Sequence, residues 1–162
     1  QAEKLIKPLE DVNFKIAILR PPMVYGKGCK GNYPRLAKLA KIIPIFPDIN
    51  NNRSMIYIDN LSEFVRLLID NCSNGLFLPQ NAEYVNTSEM IRLIAEAYGK
   101  GIIMTKLFNP LLRILNVSIV NKVFGDLTYD KDLSEYESNY RVCEFKESVF
   151  ITENEKSGRL IK

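Results

Sequence analysis

Few side chains in this chain can do chemistry, and their types narrow the field. There is no histidine, which removes His-activated nucleophiles, His acid/base work and the usual zinc sites. The three cysteines, Cys29, Cys72 and Cys143, are odd in number and lack metal-like spacing, so free thiols in a reducing cytosol fit best. What stands out is a run that offers backbone: Leu19-Arg20-Pro21-Pro22-Met23-Val24-Tyr25-Gly26-Lys27-Gly28. Its two prolines stop ladder pairing and force an extended, donor-poor turn. Gly26 and Gly28 permit conformations closed to other residues. A buried strand ending in a rigid turn and a Gly-x-Gly loop presents backbone to a ligand in an open α/β sheet. An ordinary strand-to-loop exit is the equal alternative.

The elements that must position this run follow from pattern. Lys15–Leu19 is short, apolar and β-branched, as expected of a strand buried in a parallel sheet. Gln1–Glu10 before it reads as the end of a helix. Pro34 suits a first helical turn, with Leu36, Leu39, Ala40 and Ile43 at helical spacing. A short strand, Ile45-Phe46, lies between Pro44 and Pro47, and Asp48–Asn52 is a turn. Met55–Ile58 has strand character. Asn60 is expected to cap a helix with Glu63 in capping-box position, and Leu61, Phe64, Val65, Leu68 and Ile69 form its apolar stripe. Asn74-Gly75 ends it before a strand at Leu76–Leu78. Asn86 and Glu89 repeat the capping pattern for a helix carrying Met90, Ile94, Ala97 and Tyr98 and ending near Gly99. Ile102–Met104 is a further strand, Asn109-Pro110 opens an apolar helix over Leu111–Val123, and the polar Glu153–Lys162 is expected to fray.

At 162 residues, with neither repeat nor linker, a single domain over 1–162 is expected. A net charge of +3 is too mild to argue for nucleic acid, and no apolar run approaches a membrane span. Lys27, Lys30, Arg35, Lys38 and Lys41 read as a solvated helix face or as an attractive field for an anionic diphosphate.

The run from Leu19 resembles the Leu-Arg-Pro-x-x-Val-Tyr-Gly-x-Gly signature of extended short-chain dehydrogenases/reductases, the NAD-dependent epimerase/dehydratase family acting on nucleotide sugars. Arg53-Ser54-Met55-Ile56-Tyr57-Ile58-Asp59-Asn60 is similar to the family's Arg-Asp-Phe-Val-His-Val-Asp-Asp block. Asn86–Glu89 resembles its Ser-x-x-Glu-Leu helix, and Tyr140–Val149 its terminal Trp-x-Pro helix. The resemblance implies an α/β fold: the C-terminal part of a Rossmann-like enzyme, its last parallel strands plus a small mixed α/β substrate lobe, with the strands near Lys15 and Leu76 as neighbours. Neither the family's Gly-x-x-Gly-x-x-Gly loop nor its catalytic Tyr-x-x-x-Lys pair occurs here. The opening Gln1-Ala2-Glu3 resembles the Ala-Glu pair that follows that lysine in relatives. The expectation is a C-terminal half that lacks the dinucleotide-binding half, holds no catalytic residue and is inactive alone.

The same resemblance assigns roles to particular positions. Pro21, Pro22, Met23 and Val24 would lie against the nicotinamide of NAD, although Met23 stands where some sugar 4-epimerases carry a substrate-binding Asn. Arg53 would contact the substrate diphosphate, since its planar fork matches phosphate oxygens and its charge does not titrate; the alternative is a surface arginine beside an Asn-rich turn. Asn32 and Tyr33 would touch substrate, with a helix cap and a packing aromatic as the equal alternative. Tyr25 is expected to line the pocket or serve structure rather than act as an acid/base group, and Asp59 to support the following helix. The family's late Arg-Pro-Gly-Asp stretch is replaced by Val123-Phe124-Gly125-Asp126, leaving Lys122 as a weak substitute. No metal ligands are expected. The implied function is the substrate-binding half of a nucleotide-sugar 4-epimerase, with transient hydride transfer to NAD. A dehydratase, a reductase or a non-catalytic regulatory relative is the alternative. A cytoplasmic homo-oligomer binding a nucleotide-diphosphate sugar is expected.

Overall fold

The computed structural model describes residues 1–107 and 125–156. Its strands form three two-stranded sheets, every pair parallel. β1 (Ala17–Leu19) pairs with β5 (Gly75–Phe77), as the family resemblance implies for the stretches near Lys15 and Leu76. β2 (Met23–Tyr25) pairs with β4 (Met55–Tyr57), and β3 (Ile45–Pro47) with β6 (Ile103–Thr105). The strands at Ile45 and Met55 therefore enter different sheets.

The diproline bend explains the switch between the first two sheets. Arg20 N donates to Phe77 O at 2.9 Å, and the next two residues have no N–H to continue that ladder. The chain turns, and Met23 starts a new ladder beside Met55. Gly26 follows at φ +139°, a conformation that L side chains rarely adopt. A Cβ there would lie 2.4 Å from Ile58 Cγ2, so the glycine is required twice, by torsion and by space.

β1 departs from the expectation of a buried strand: Ala17 is exposed and Ile18 and Leu19 are only partly covered. β4 is the buried strand, with Met55, Ile56 and Tyr57 all in the interior. Alternation along a strand sends neighbouring side chains to opposite faces. Met55 and Tyr57 accordingly enter one core with Tyr25, Tyr33, Met90, Ile94 and Val149, while Ile56 enters another with Phe64, Leu67, Leu68 and Tyr140.

α1 (Ala2–Ile6) buries none of its residues. α2 (Tyr33–Ile42) has its proline in the first turn and buries Tyr33, Leu36, Ala37 and Ala40; the expected Leu39 is exposed. α4 (Thr87–Ala97) is capped as predicted, with Asn86 Oδ1 accepting from Glu89 N at 3.0 Å, and Gly99 at φ +68° follows its end. α3 (Ile58–Asp70) begins two residues before the expected cap. Asn60 is inside its first turn and buried, donating Nδ2 to Cys143 O and accepting from Cys143 N, both at 2.9 Å. Its amide is used in a tertiary clamp rather than as a cap. Val65 and Ile69 of the expected stripe are exposed, and Leu67 takes their place inside. α5 (Phe145–Lys156) packs Ser148, Val149, Thr152 and Glu153 inward. The apolar helix expected over Leu111–Val123 lies outside the described residues, as does the end of the tail expected to fray.

Tyr25 and Tyr33 stack in the first core, ring centroids 5.4 Å apart at 24°. The Tyr25 hydroxyl lies 2.6 Å from Ser148 Oγ and accepts from Asn81 Nδ2 at 3.0 Å. Burial pushes its pKa up to about 12, against the two hydrogen bonds that lower it; burial raises that of Tyr33 as well, reinforced by Glu153.

Two outcomes are expected. Gly26→Ala should lower stability by about 2–4 kcal/mol in urea denaturation, since strain and overpacking add. Tyr25 keeps its proton in the fold above the pH at which an unfolded tyrosine loses it, so stability is full below about pH 10 and falls as pH rises toward about 12. In Tyr25→Phe that decline should be shallower by one proton, read from denaturation midpoints across this range.

Candidate functional site

Arg53 sits where three segments converge. The turn before it is fastened to the N-terminus of α4: Asn51 Nδ2 donates to Thr87 Oγ1, Asn51 Oδ1 accepts from Thr87 N, both at 2.9 Å, and Asn86 Nδ2 donates to Ile49 O at 2.8 Å. Asparagine suits this place because each amide can donate and accept at once. Arg53 then forms an antiparallel bridge with Val85, N to O at 3.0 and 2.9 Å, and a parallel bridge with Leu127. Its Nη1 donates to Gly125 O at 2.9 Å, and Asn52 N donates to Asp126 Oδ1 at 2.7 Å. The residue is 8% exposed. Burial lowers the pKa of the guanidinium, and the Asp126 carboxylate raises it in part; a guanidinium remains charged under both influences.

Gly125 and Asp126, where the sequence aligns the family's second phosphate-binding stretch, thus lie against Arg53. Lys122 falls outside the described residues. The diproline bend is connected to Arg53 through strand register. Met23 pairs with Met55, and Pro21 and Arg53 each stand two residues upstream, at the same end of the β2–β4 pair. Pro21 is exposed, while Pro22, Met23 and Val24 are partly buried.

For Tyr25 and Tyr33 the sequence leaves two readings open, a ligand contact and a place in the packing. At 0% and 1% exposure their stacked rings present no surface to a ligand, so the structure assigns them to the core. Apolar packing of both ring faces outweighs the polar tips, whose hydroxyls are accommodated inside. Asn32 is exposed at the start of α2 and makes no side-chain cap bond; its carbonyl accepts from Leu36 N at 3.0 Å. Asp59 lies in the first turn of α3, where its charge opposes the helix dipole favourably.

A cavity of about 440 Å³, absent from any sequence motif, opens at the carboxyl ends of β3 and β6, bordered by Asp48, Asn50, Asn86, Ser88, Arg92 and Lys106. Ligands of parallel α/β folds favour this side of the strands. Its walls come from three stretches far apart in sequence, so no local pattern could reveal it. Neither Arg53 nor the diproline bend lines it; the Asp48–Asn52 turn joins it to Arg53. Among the described residues no group of His, Cys, Asp and Glu could hold a metal ion, and no helix is long and apolar enough to cross a membrane.

No family model matches the chain. It is 35% identical over 143 residues to UDP-glucose 4-epimerase of Vibrio cholerae, covering 80% of this chain and 43% of that one. The fold resembles that of the Thermus thermophilus UDP-glucose 4-epimerase in complex with NAD (TM-score 0.68, 16% identity, 98% of this chain and 51% of that one). It also resembles the Bordetella bronchiseptica enzyme WbmG in complex with NAD and UDP (TM-score 0.58, 15% identity, 97% and 48%). The chain spans about half the length of these relatives. In sequence it is similar to a UDP-glucose 4-epimerase, and in fold to enzymes solved in complex with NAD, a UDP-glucose 4-epimerase among them.

Proposed function

We propose that this chain forms the substrate-holding half of an NAD-dependent nucleotide-sugar epimerase acting at carbon 4 of a UDP-hexose. The observation that carries the reading is Arg53: its backbone bridges Val85 and Leu127 and its guanidinium donates to Gly125 O, in a block whose sequence resembles the family's diphosphate-binding one. A fixed fork of donors suits paired phosphoryl oxygens, and fixing it beforehand reduces the entropy lost on binding. The exposed Asn32 is a second polar contact, offering donor and acceptor together.

The residues toward the cofactor fit an aromatic ring more than a phosphate. Pro21 and Pro22 are rigid and lack N–H groups, and the partly covered Met23 and Val24 extend the same apolar wall. They would border the nicotinamide, whereas no Gly-x-x-Gly-x-x-Gly loop for the dinucleotide pyrophosphate occurs in these residues. NAD supplies the hydride acceptor when bound. The acid/base Tyr-x-x-x-Lys pair of the family likewise does not occur in these residues, so what they offer is positioning and electrostatics. Dehydration or reduction of a nucleotide sugar would use the same grip.

Self-association belongs to the same reading. Leu5, Leu9, Val12 and Phe14 are 53–87% exposed, and Ala17 and Leu19 of β1 face an edge on which no partner strand pairs among the described residues. Open edges and apolar faces invite pairing.

Titration calorimetry with UDP tests the grip. Arg53→Lys should bind at least about tenfold more weakly, because an ammonium cannot reproduce the bidentate fork; unchanged affinity would remove Arg53 from the site. In sedimentation velocity the isolated chain should run as a concentration-dependent dimer or larger species, and a monomer at all loadings would contradict self-association.

A further inference from the structure

The Gly125–Tyr129 strap, whose first carbonyl receives Arg53, is anchored at its far end by the side chains of Ser54, Gln80 and Tyr84. Tyr129 N donates to Ser54 Oγ at 2.8 Å, and Ser54 Oγ donates to Gln80 Oε1 at 2.6 Å. Gln80 Nε2 donates onward to Asp130 O at 3.1 Å. The Tyr84 hydroxyl donates to Tyr129 O at 2.8 Å. Between these anchors and Arg53, Ser54 N donates to Leu127 O at 2.8 Å and Leu127 N to Asn52 O at 3.0 Å.

Gln80 is 0% exposed, and its backbone is held as firmly as its side chain. Its N–H donates to Tyr140 OH at 3.1 Å, and its carbonyl accepts from Arg141 Nε at 3.2 Å. A buried amide saturated in this way can rotate only by leaving polar atoms unpaired, which is costly. The strap therefore has a rigid support at Tyr129 and hands that rigidity to Gly125.

We propose that Ser54 and Gln80 are positioning residues for the anion site: they fix the strap, and the strap fixes the Arg53 guanidinium in its ligand-binding orientation. This rests on the reading of Arg53 as the diphosphate contact. Ser54 stands beside Arg53 in sequence but points to the opposite support, so its influence travels through Tyr129 and Gly125 rather than by contact with a ligand. Tyr84 serves the same strap from a partly exposed place.

The test is a double-mutant cycle read by UDP titration calorimetry on the full chain. Ser54→Ala should weaken UDP about fivefold or more, Ser54→Thr should restore most of the affinity, and Tyr84→Phe should weaken it about two- to threefold, hydrogen bonds of this kind being modest. In an Arg53→Gln background, Ser54→Ala should add nothing, because its effect acts through the guanidinium. A purely structural role would give the same fold loss in both backgrounds, and that result overturns the proposal. If Ser54→Ala does not fold, Tyr84→Phe carries the same cycle from outside the core. Arg53→Gln with wild-type UDP affinity, or a wild-type chain that binds no UDP, overturns the reading of Arg53 itself and the proposal with it. A strong loss in Arg53→Gln with none in Ser54→Ala or Tyr84→Phe overturns the positioning role alone.

Discussion

The buried amide of Asn81 holds the central strand pair together. Its backbone N–H donates to Met55 O at 2.8 Å, its Oδ1 accepts from Tyr57 N at 3.1 Å, and its Nδ2 donates to Tyr25 OH at 3.0 Å. One residue thus grips β4 at both ends and the last residue of β2. The same Oδ1 lies 3.3 Å from Asn60 Nδ2, which extends the grip to α3 and, through Cys143, to the approach to α5. Strand pairs of three residues are too short to hold register unaided. A buried polar network, satisfied throughout, supplies the missing specificity, since any slip would orphan several groups at once.

This network explains which parts of the structure were legible in the sequence. The cap of α4 could be read from Asn86 and Glu89 because both partners lie within one turn and nothing distant competes for them. The start of α3 could not. Asn60 and Glu63 show the same local pattern, but Cys143, eighty-three residues away, claims the Asn60 amide, and the helix begins at Ile58 instead. Tyr25 and Tyr33 are a similar case. An aromatic beside a ligand loop and an aromatic stacked in a core have the same local signature, and only the convergence of α2, α4 and α5 decides between them. The parallel partner of β1 was legible through family resemblance, and its exposure was not, because coverage depends on what packs over the sheet.

The two ends of the molecule contrast in how they are stabilised. Around β4, side chains on both faces are buried and polar groups are matched. Around β1 and α1, Leu5, Leu9 and Val12 stand in solvent, and α1 is joined to the strand region by the exposed Arg20–Glu3 pair. Ion pairs of that kind contribute little in water. Parallel strands normally have both faces covered, so among the described residues the β1–β5 pair is thinly supported by its own contacts. Rigidity is concentrated at the strand pair that carries Arg53 and the diproline bend.

That distribution bears on why an arginine can serve at position 53. A cation drawn out of water is costly unless it is paired or hydrogen-bonded, and here one Gly125 carbonyl and the nearby Asp126 carboxylate offset part of that cost. A lysine in the same place would titrate more readily under burial and would present a point charge without direction. The guanidinium stays charged, and its bond to Gly125 fixes the plane in which its donors lie. On the proposed reading, an anion arriving there would meet a charge already partly desolvated and already aimed. Both conditions strengthen attraction over that at an open surface, where water and ions screen the field. On that reading, the strength of the grip would depend less on adding positive charge than on keeping the Gly125 carbonyl in place, the task proposed for Ser54 and Gln80.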